Sequence, residues 1–157
     1  MKLIVNNPPS RGEEKDEAKP EAAPAAHQDL DVNAFLVCDS VVRDAQTGKT
    51  SIQGVFDMIY APGFPAVHPT LALYFRLCFD QPPSEPARIA LALTTPCGER
   101  REDPDAMRAA SGPSGVLEAW INIANFNFPE PGRYCFELAV NGATVADYTV
   151  EAKLRTS

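Results

Sequence analysis

Few side chains in this sequence are able to do chemistry. His68 is the only histidine outside the N-terminal segment, which holds His27. Asp39 and Asp57 lie in strand-like stretches, where aspartate is disfavoured unless a cation or a backbone donor pairs with it. Ser40 would complete a Ser–His–Asp set by residue type, but the Gly-x-Ser-x-Gly turn that exposes a nucleophile is absent. The sequence therefore offers Asp39, Asp57 and His68 as polar-site candidates and assigns no catalytic residue.

Metal binding is a second interpretation of the acidic residues. The three polar-site candidates could converge on an ion, although their spacing does not require it. Glu102, Asp103 and Asp105 resemble an aspartate-rich calcium loop, but Arg100 and Arg101 beside them would repel a cation. No glycine-rich phosphate loop is present. The sequence predicts no metal, no cofactor and no enzymatic activity.

A purely structural role is the other interpretation of the two aspartates. Arg43 and Arg76 would pair with Asp39 and Asp57 at the rim of a sheet. His68 would then be a loop residue with one backbone hydrogen bond. In this interpretation the polar candidates bind nothing.

The cysteines and the apolar segments indicate the compartment. Cys38, Cys78, Cys97 and Cys135 have no C-x-x-C spacing, so they are expected to be free thiols in a reducing cytosol. No apolar run approaches the roughly 20 residues of a membrane helix. The apolar run at residues 3–5 is too short for a secretory signal, which needs about 7–15 residues. The sequence predicts a cytoplasmic protein without membrane contact.

The charge balance bears on partners. The chain of 157 residues has 21 acidic and 14 basic side chains, a net charge of −7. Binding to phosphates needs a basic surface. The sequence therefore predicts that nucleic acid is not a partner.

Residues 1–31 form a predicted flexible N-terminal tail. Its stretch 6–31 is rich in proline, alanine and charge and has one large apolar residue, Leu30, so it cannot offset its ordering entropy. Leu3, Ile4 and Val5 precede this stretch. They are either a frayed chain start or a short docking strand that adds to a sheet edge, in this domain or in a partner.

Residues 32–157 form one predicted β-sandwich domain. Apolar side chains alternate through most of it, and Asn141-Gly142 marks a tight hairpin. A twenty-residue loop is expected at 96–115, with one helical turn at 105–110, and a proline-rich loop at 61–69. Seven strands are predicted, at 33–42, 50–60, 70–80, 87–95, 116–125, 133–140 and 143–154.

These connections favour an all-β, antiparallel two-sheet sandwich, immunoglobulin-like or C2-like in outline. The strongest alternation places Phe75 on an inner face, and the strand at 133–140 does the same for Phe136. Both rings are expected in the core.

One stretch resembles a known family. Its features are an apolar strand ending Cys38-Asp39, a Gly48-Lys49 turn, a strand with Gly54-Val55-Phe56-Asp57, and a Phe64-Pro65-Ala66 loop. Over about residues 33–80 this is similar to a bacterial family of uncharacterised small proteins. The resemblance implies a β-sandwich and brings no established activity.

Function is expected to lie in binding. The first hypothesis is an interaction or structural module that contacts a protein partner, or its own oligomer, through the N-terminal segment or a sheet edge. The second is a small-ligand or carbohydrate-binding sandwich, for which a row of exposed aromatic rings would be typical. The candidate rings are Tyr60, Tyr74, Trp120 and Tyr148. An enzyme of unrecognised type is the third.

Overall fold

The computed structural model describes residues 2–3 and 29–156. The described residues form eleven strands and no helix, so none of them forms a helix that could span a membrane. The strands are β1 (Lys2–Leu3), β2 (Leu30–Cys38), β3 (Ser40–Arg43), β4 (Thr50–Gln53), β5 (Met58–Ala61), β6 (Ala66–Phe79), β7 (Ala87–Thr94), β8 (Arg100–Ala109), β9 (Val116–Phe128), β10 (Gly132–Val140) and β11 (Ala143–Leu154).

The strands form two main sheets and a small ribbon. The first sheet has the order β1-β2-β6-β9, and the second has the order β5-β11-β10-β7-β8. The ribbon contains β3 and β4. The predicted all-β sandwich is confirmed. One pair departs from the antiparallel expectation, because β5 runs parallel to β11 with Met58 opposite Glu151.

The core lies between the inner faces of the two sheets. On β6 the alternating side chains from Leu71 to Phe79 are all at most 5% exposed. Phe75 is fully buried and Phe136 is 3% exposed, as the alternation predicts. On β10 every second side chain from Tyr134 to Val140 is buried, because successive side chains of a strand point to opposite faces.

The first predicted hairpin is divided into three pieces. Asp39 lies between β2 and β3 and interrupts the predicted strand there. Its backbone N–H is shared between Gln53 O at 3.0 Å and Gly54 O at 3.1 Å. Gly54 has φ +68°, which separates β4 from β5. The ribbon folds over the outer face of the first sheet, while β5 crosses to the second sheet.

The proline-rich stretch is extended rather than irregular at its end. β6 begins at Ala66 and contains Pro69, although proline was expected to exclude a strand here. Pairing with β2 ends at Ala72, so among the described strands this part of β6 pairs only with β9. Opposite Pro69, Asn125 adopts φ +54°. Proline is tolerated at such positions.

The predicted loop at 96–115 is wrong over half of its length. Residues Arg100–Ala109 form β8, which pairs with β7, and no helical turn is present at 105–110. The register skips the residues from Pro104 to Ala106, so the proline lies in a bulge. The sequence did not reveal this strand because it is mostly exposed and lacks apolar alternation.

β2 begins earlier than the strand predicted at 33–42. It starts at Leu30, which is 1% exposed. Lys2 lies opposite Asp31 and Leu3 opposite Leu30 in antiparallel register. The backbone of Leu3 therefore adds to an edge of the chain's own first sheet. Ile4, Val5 and the rest of the predicted tail up to residue 28 lie outside the described residues.

Candidate functional site

The structure brings two of the three polar candidates together. His68, at the start of β6, places Nε2 2.8 Å from Oδ1 of Asp39, the residue between β2 and β3. The ring of Phe56 packs on the imidazole, with centroids 4.9 Å apart. Gly54 leaves the space that the Asp39 carboxylate occupies, since a Cβ there would lie 2.3 Å from Oδ2. The result is one oriented His–Asp pair.

Asp57 stands apart from this pair. Its backbone O accepts the N–H of Glu151 at 2.9 Å, immediately before β5 begins at Met58. Burial first, and then the charge of Asp57, raise the pKa of Tyr148, whose hydroxyl donates to Phe56 O. No three His, Cys, Asp or Glu side chains among residues 2–3 and 29–156 are arranged to hold a metal ion.

The neighbouring nucleophile types are not arranged with His68. The Ser40 hydroxyl donates to Oε1 of Gln53 at 3.1 Å. Cys38 is buried, and burial together with the charge of Asp39 raises its thiol pKa. A raised pKa disfavours the thiolate, which is the reactive form.

A larger polar network on the first sheet was missed from the sequence. Glu118 of β9 accepts the hydroxyl of Tyr74, the Thr50 hydroxyl at 2.8 Å and an Arg43 guanidinium N–H at 2.8 Å. The Arg43 guanidinium also lies over Trp120, 5.5 Å from the ring centroid. Arg43 was expected to pair with Asp39 or Asp57, and it instead attaches the β3–β4 ribbon to the sheet.

The network around Glu118 shifts the pKa values of two of its members, Tyr74 and Glu118. Burial, then the hydrogen bond and charge of Glu118, raise the pKa of Tyr74 to about 12. Burial opposes ionisation of Glu118, but hydrogen bonds from Tyr74 and Thr50 and the charges of Arg43 and Arg76 lower its pKa overall. Tyr74 is only 5% exposed. The neutral phenol and the carboxylate therefore stabilise each other.

Stability should consequently fall at both pH extremes. An unfolded tyrosine loses its proton near pH 10, whereas Tyr74 keeps it to about 12, so its contribution is complete below pH 10. As the pH rises from below 10 to above 12, the free energy of unfolding should lose this contribution, about 3 kcal/mol in total and about 2 kcal/mol of it between pH 10 and 12. On the acid side, the stabilisation by Glu118 is present above its ordinary pKa and is lost as the pH falls through the lowered value. Denaturant titrations at acid pH and between pH 10 and 12 measure the free energy of unfolding and so test both losses.

Tyr74→Phe is the control for the alkaline limb. Tyr134 and Tyr148 also have raised pKa values and add to the slope in both proteins. The slope between pH 10 and 12 should therefore be smaller in Tyr74→Phe than in the unmodified chain. Equal slopes would show that Tyr74 does not titrate as the structure indicates.

The four aromatic candidates do not form one exposed row. Tyr74 and Trp120 lie opposite each other on the first sheet, and Tyr74 is buried. Tyr60 is 55% exposed on β5, and Tyr148 is half-buried on β11. A continuous stacking platform for a sugar is not assembled from these rings.

The edge of β9 that faces away from β6 is a second candidate site. Phe79 N–H donates to Gly115 O at 2.8 Å, in line with the β6–β9 register, so odd-numbered β9 residues direct their backbone groups to β6. Gly112 N–H donates to Val116 O at 2.8 Å from the opposite side. Even-numbered residues therefore face outwards. The backbone groups of Glu118, Trp120, Asn122 and Ala124 are called the β9 edge.

The β9 edge differs from the edges formed by β1, β5 and β8 in the described part of the chain. β1 and β5 are only 2 and 4 residues long, and β8 has Pro104 and many charged side chains. Short length, proline and charge protect an edge from pairing with another strand. β9 has 13 residues, no proline and one charged side chain, Glu118. Within residues 2–3 and 29–156, β9 pairs with β6 alone.

Apolar surface also remains open at this side of the sandwich. Ala119, Ile121 and Ile123 point inwards from β9 and pack against the core, yet they are only partly buried. On the neighbouring β6, Leu73 and Phe75 are at most 1% exposed. An added strand would cover the β9 side chains as well as the β9 edge.

The comparisons with known proteins bear on this geometry. A model of a family of unknown function, DUF6941, matches residues 33–153. The chain belongs to this family. The DUF6941 match extends far beyond the resemblance found at about residues 33–80 and reaches into β11. No curated protein matches the chain.

A solved structure shares the fold of this DUF6941 member. The chain is similar to part of the Pseudomonas fluorescens alkylpurine DNA glycosylase AlkC, bound to DNA containing an abasic site analog. The TM-score is 0.53 at 13% identity, over 81% of this chain and 30% of that chain. The chain thus spans less than a third of the glycosylase's length.

This likeness contradicts the prediction that nucleic acid is excluded. A fold of this kind occurs in a protein whose structure contains DNA. The net charge of −7 is an average over the whole chain, whereas contacts to a phosphate backbone are made by a few local groups. Net charge alone therefore does not exclude such a partner for the DUF6941 domain.

Proposed function

We propose that this domain is a non-enzymatic interaction module that binds an extended polypeptide segment by strand addition to the β9 edge. The supporting observation is that β9 is long, nearly uncharged and paired on one side only within the described residues. In strand addition, backbone hydrogen bonds provide affinity and alternate side chains provide selectivity. The half-buried Ile121 and Ile123 would contact the inner face of the added strand.

In this proposal the sandwich is immunoglobulin-like. Tyr134, near the start of β10, is fully buried, and its hydroxyl donates to Glu130 O at 2.6 Å while accepting the Glu130 N–H at 3.2 Å. A tyrosine that bonds back to the backbone at such a corner is typical of immunoglobulin-like sandwiches. The ring also packs edge-on against Phe128, 4.9 Å away. The rigid corner would hold β9 and β10 in place beside the β9 edge.

The cysteine chemistry supports a cytoplasmic place of action. Cys38, Cys78, Cys97 and Cys135 are all free thiols. Free thiols persist in reducing compartments. In this proposal the N-terminal segment would tether the sandwich to a partner or to its own oligomer.

Asn122→Pro is the test of the proposed function, with Asn122→Ala as its matched control. Asn122 is exposed, and its N–H faces outwards, so proline removes a donor of the β9 edge without removing a bond to β6. Proline is tolerated on edge strands when its missing N–H would face solvent. Both variants lose the amide side chain, and only proline loses the backbone donor.

The expected result is a selective loss of binding. In a pull-down with each variant, the amount of polypeptide partner captured is quantified by mass spectrometry. It should be about tenfold or more lower with Asn122→Pro than with Asn122→Ala, because the lost backbone hydrogen bond and the proline ring both oppose strand pairing. Melting curves should show that both variants are folded. Equal capture by the two variants overturns the proposal.

Nucleic acid is the second candidate partner, favoured by the fold shared with the DNA-bound glycosylase. A nuclease-treated arm of the same capture experiment separates the two classes. Capture that disappears with nuclease, and is the same for Asn122→Pro and Asn122→Ala, would identify nucleic acid and reject strand addition.

A further inference from the structure

We infer that the strand which adds to the β9 edge is β9 of a second copy of this chain, antiparallel, with Ile121 on the two-fold axis. This inference rests on the proposed function and names its partner. It would join two four-stranded sheets into one continuous eight-stranded sheet. Such a contact is isologous, as in most homodimers.

The register follows from the residues whose backbone groups face away from β6. Glu118, Trp120, Asn122 and Ala124 direct N–H and C=O outwards, and Ile121 is the midpoint of this set. Antiparallel pairing about that midpoint places Trp120 opposite Asn122, and Glu118 opposite Ala124. Each such pair exchanges two backbone hydrogen bonds. The two-fold axis repeats both pairs, which makes four pairs in the dimer. These would form about eight backbone hydrogen bonds and satisfy every N–H and C=O group of the β9 edge.

The local charge at the β9 edge does not oppose a second copy. Two chains of net charge −7 repel each other in general. Glu118 is the only charged side chain of β9, and Arg43 lies against its carboxylate at 2.8 Å. In the inferred register Glu118 faces the alanine of the other copy, so no like charges are opposed. β8, the edge of the other sheet, has charged side chains along its length.

The inner face of β9 is also compatible with itself. Ile121 would lie beside its own symmetry mate, and Ala119 beside Ile123. These side chains are partly buried in one copy, and pairing would remove more of their apolar surface from water. A small residue opposite a large one allows close packing across the axis.

The dimer is tested on the full chain by sedimentation equilibrium and by light scattering over a dilution series. The unmodified chain and Asn122→Ala should have the mass of a dimer at high concentration and dissociate on dilution. Asn122→Pro should remain a monomer, with its dimer dissociation constant raised by about tenfold or more.

The register is tested by a pair of charge variants at an exposed position of the β9 edge. Ala124→Lys would face Glu118 of the other copy, and Ala124→Glu would repel it. Ala124→Lys should tighten the dimer and Ala124→Glu should weaken it, each by about twofold to thirtyfold, because the contact occurs twice. Equal dissociation constants for the two variants overturn the register.

The outcomes separate this inference from the function on which it rests. If the chain stays monomeric while Asn122→Pro still loses a captured polypeptide, the self-pairing is wrong and strand addition to another protein stands. If the chain is dimeric and Asn122→Pro is dimeric too, the β9 edge is not the interface and the inference is wrong.

Discussion

Phe75→Ala is expected to lower the free energy of unfolding by about 3–5 kcal/mol, the usual cost of removing a large aromatic side chain from a core. Phe75 lies on β6, the strand between β2 and β9, and its side chain is fully buried. β6 is paired at Phe75 with Phe35 of β2 on one side and with Ala119 of β9 on the other, so the surrounding backbone is held and does not readily close the cavity. The cost is a large share of the roughly 5–15 kcal/mol that stabilises a typical protein. Equilibrium denaturation in urea measures it.

Val67→Ala is the matched control on the same strand. Val67 is 59% exposed, so its truncation should change the free energy of unfolding by no more than about 0.5 kcal/mol. Phe75→Leu keeps most of the buried volume and should cost less than Phe75→Ala. A loss below about 1 kcal/mol for Phe75→Ala would show that this ring does not contribute to the core as the structure indicates.

Gly115→Ala is expected to cost about 2–5 kcal/mol. Gly115 precedes β9 with φ +87°, a conformation that costs a residue with a Cβ about 1–2 kcal/mol. An added Cβ would also lie 2.5 Å from the backbone O of Phe79, so the β6–β9 connection must shift, at about 1–3 kcal/mol more. The same junction is held by the Phe79 N–H to Gly115 O bond of 2.8 Å. Thermal and urea denaturation both report the loss.

Gly98→Ala separates the two contributions. Gly98 has nearly the same φ, +91°, but a Cβ there would meet nothing within 4 Å. It should therefore cost only the conformational part, about 1–2 kcal/mol. If Gly98→Ala and Gly115→Ala lower the free energy of unfolding equally, the contact of the added Cβ with the Phe79 backbone contributes nothing to the cost.

Local pattern was sufficient for the elements whose side chains alternate between core and solvent. β6 and β10 were expected from their alternation, because burial on one face of a strand imposes a period of two. Asn141 and Gly142 predicted the β10–β11 hairpin, and their φ values of +50° and +92° are those that such a tight turn needs. These features depend on residues close together in the chain, so the sequence determines them.

Local pattern failed where a strand is held by backbone pairing alone. β8 is mostly exposed, and its neighbour β7 provides the hydrogen bonds that make it a strand. The division of the first hairpin at Asp39 and Gly54 was also missed, since it depends on β5 finding β11 about 90 residues away. A periodicity shows which face is buried but not which strand lies alongside.

The candidate sites divide in the same way. The sequence by itself determined the residue types of the His–Asp pair and the apolar, nearly uncharged character of β9. Only the tertiary structure decided that Asp39 rather than Asp57 meets His68, and that Arg43 and Tyr74 meet at Glu118. It also decided that β9 lies at an edge with one side of its backbone free of the described strands. The physical reason is that a charge pair or an open edge is a relation between distant segments, and its energy exists only after the chain has brought them together.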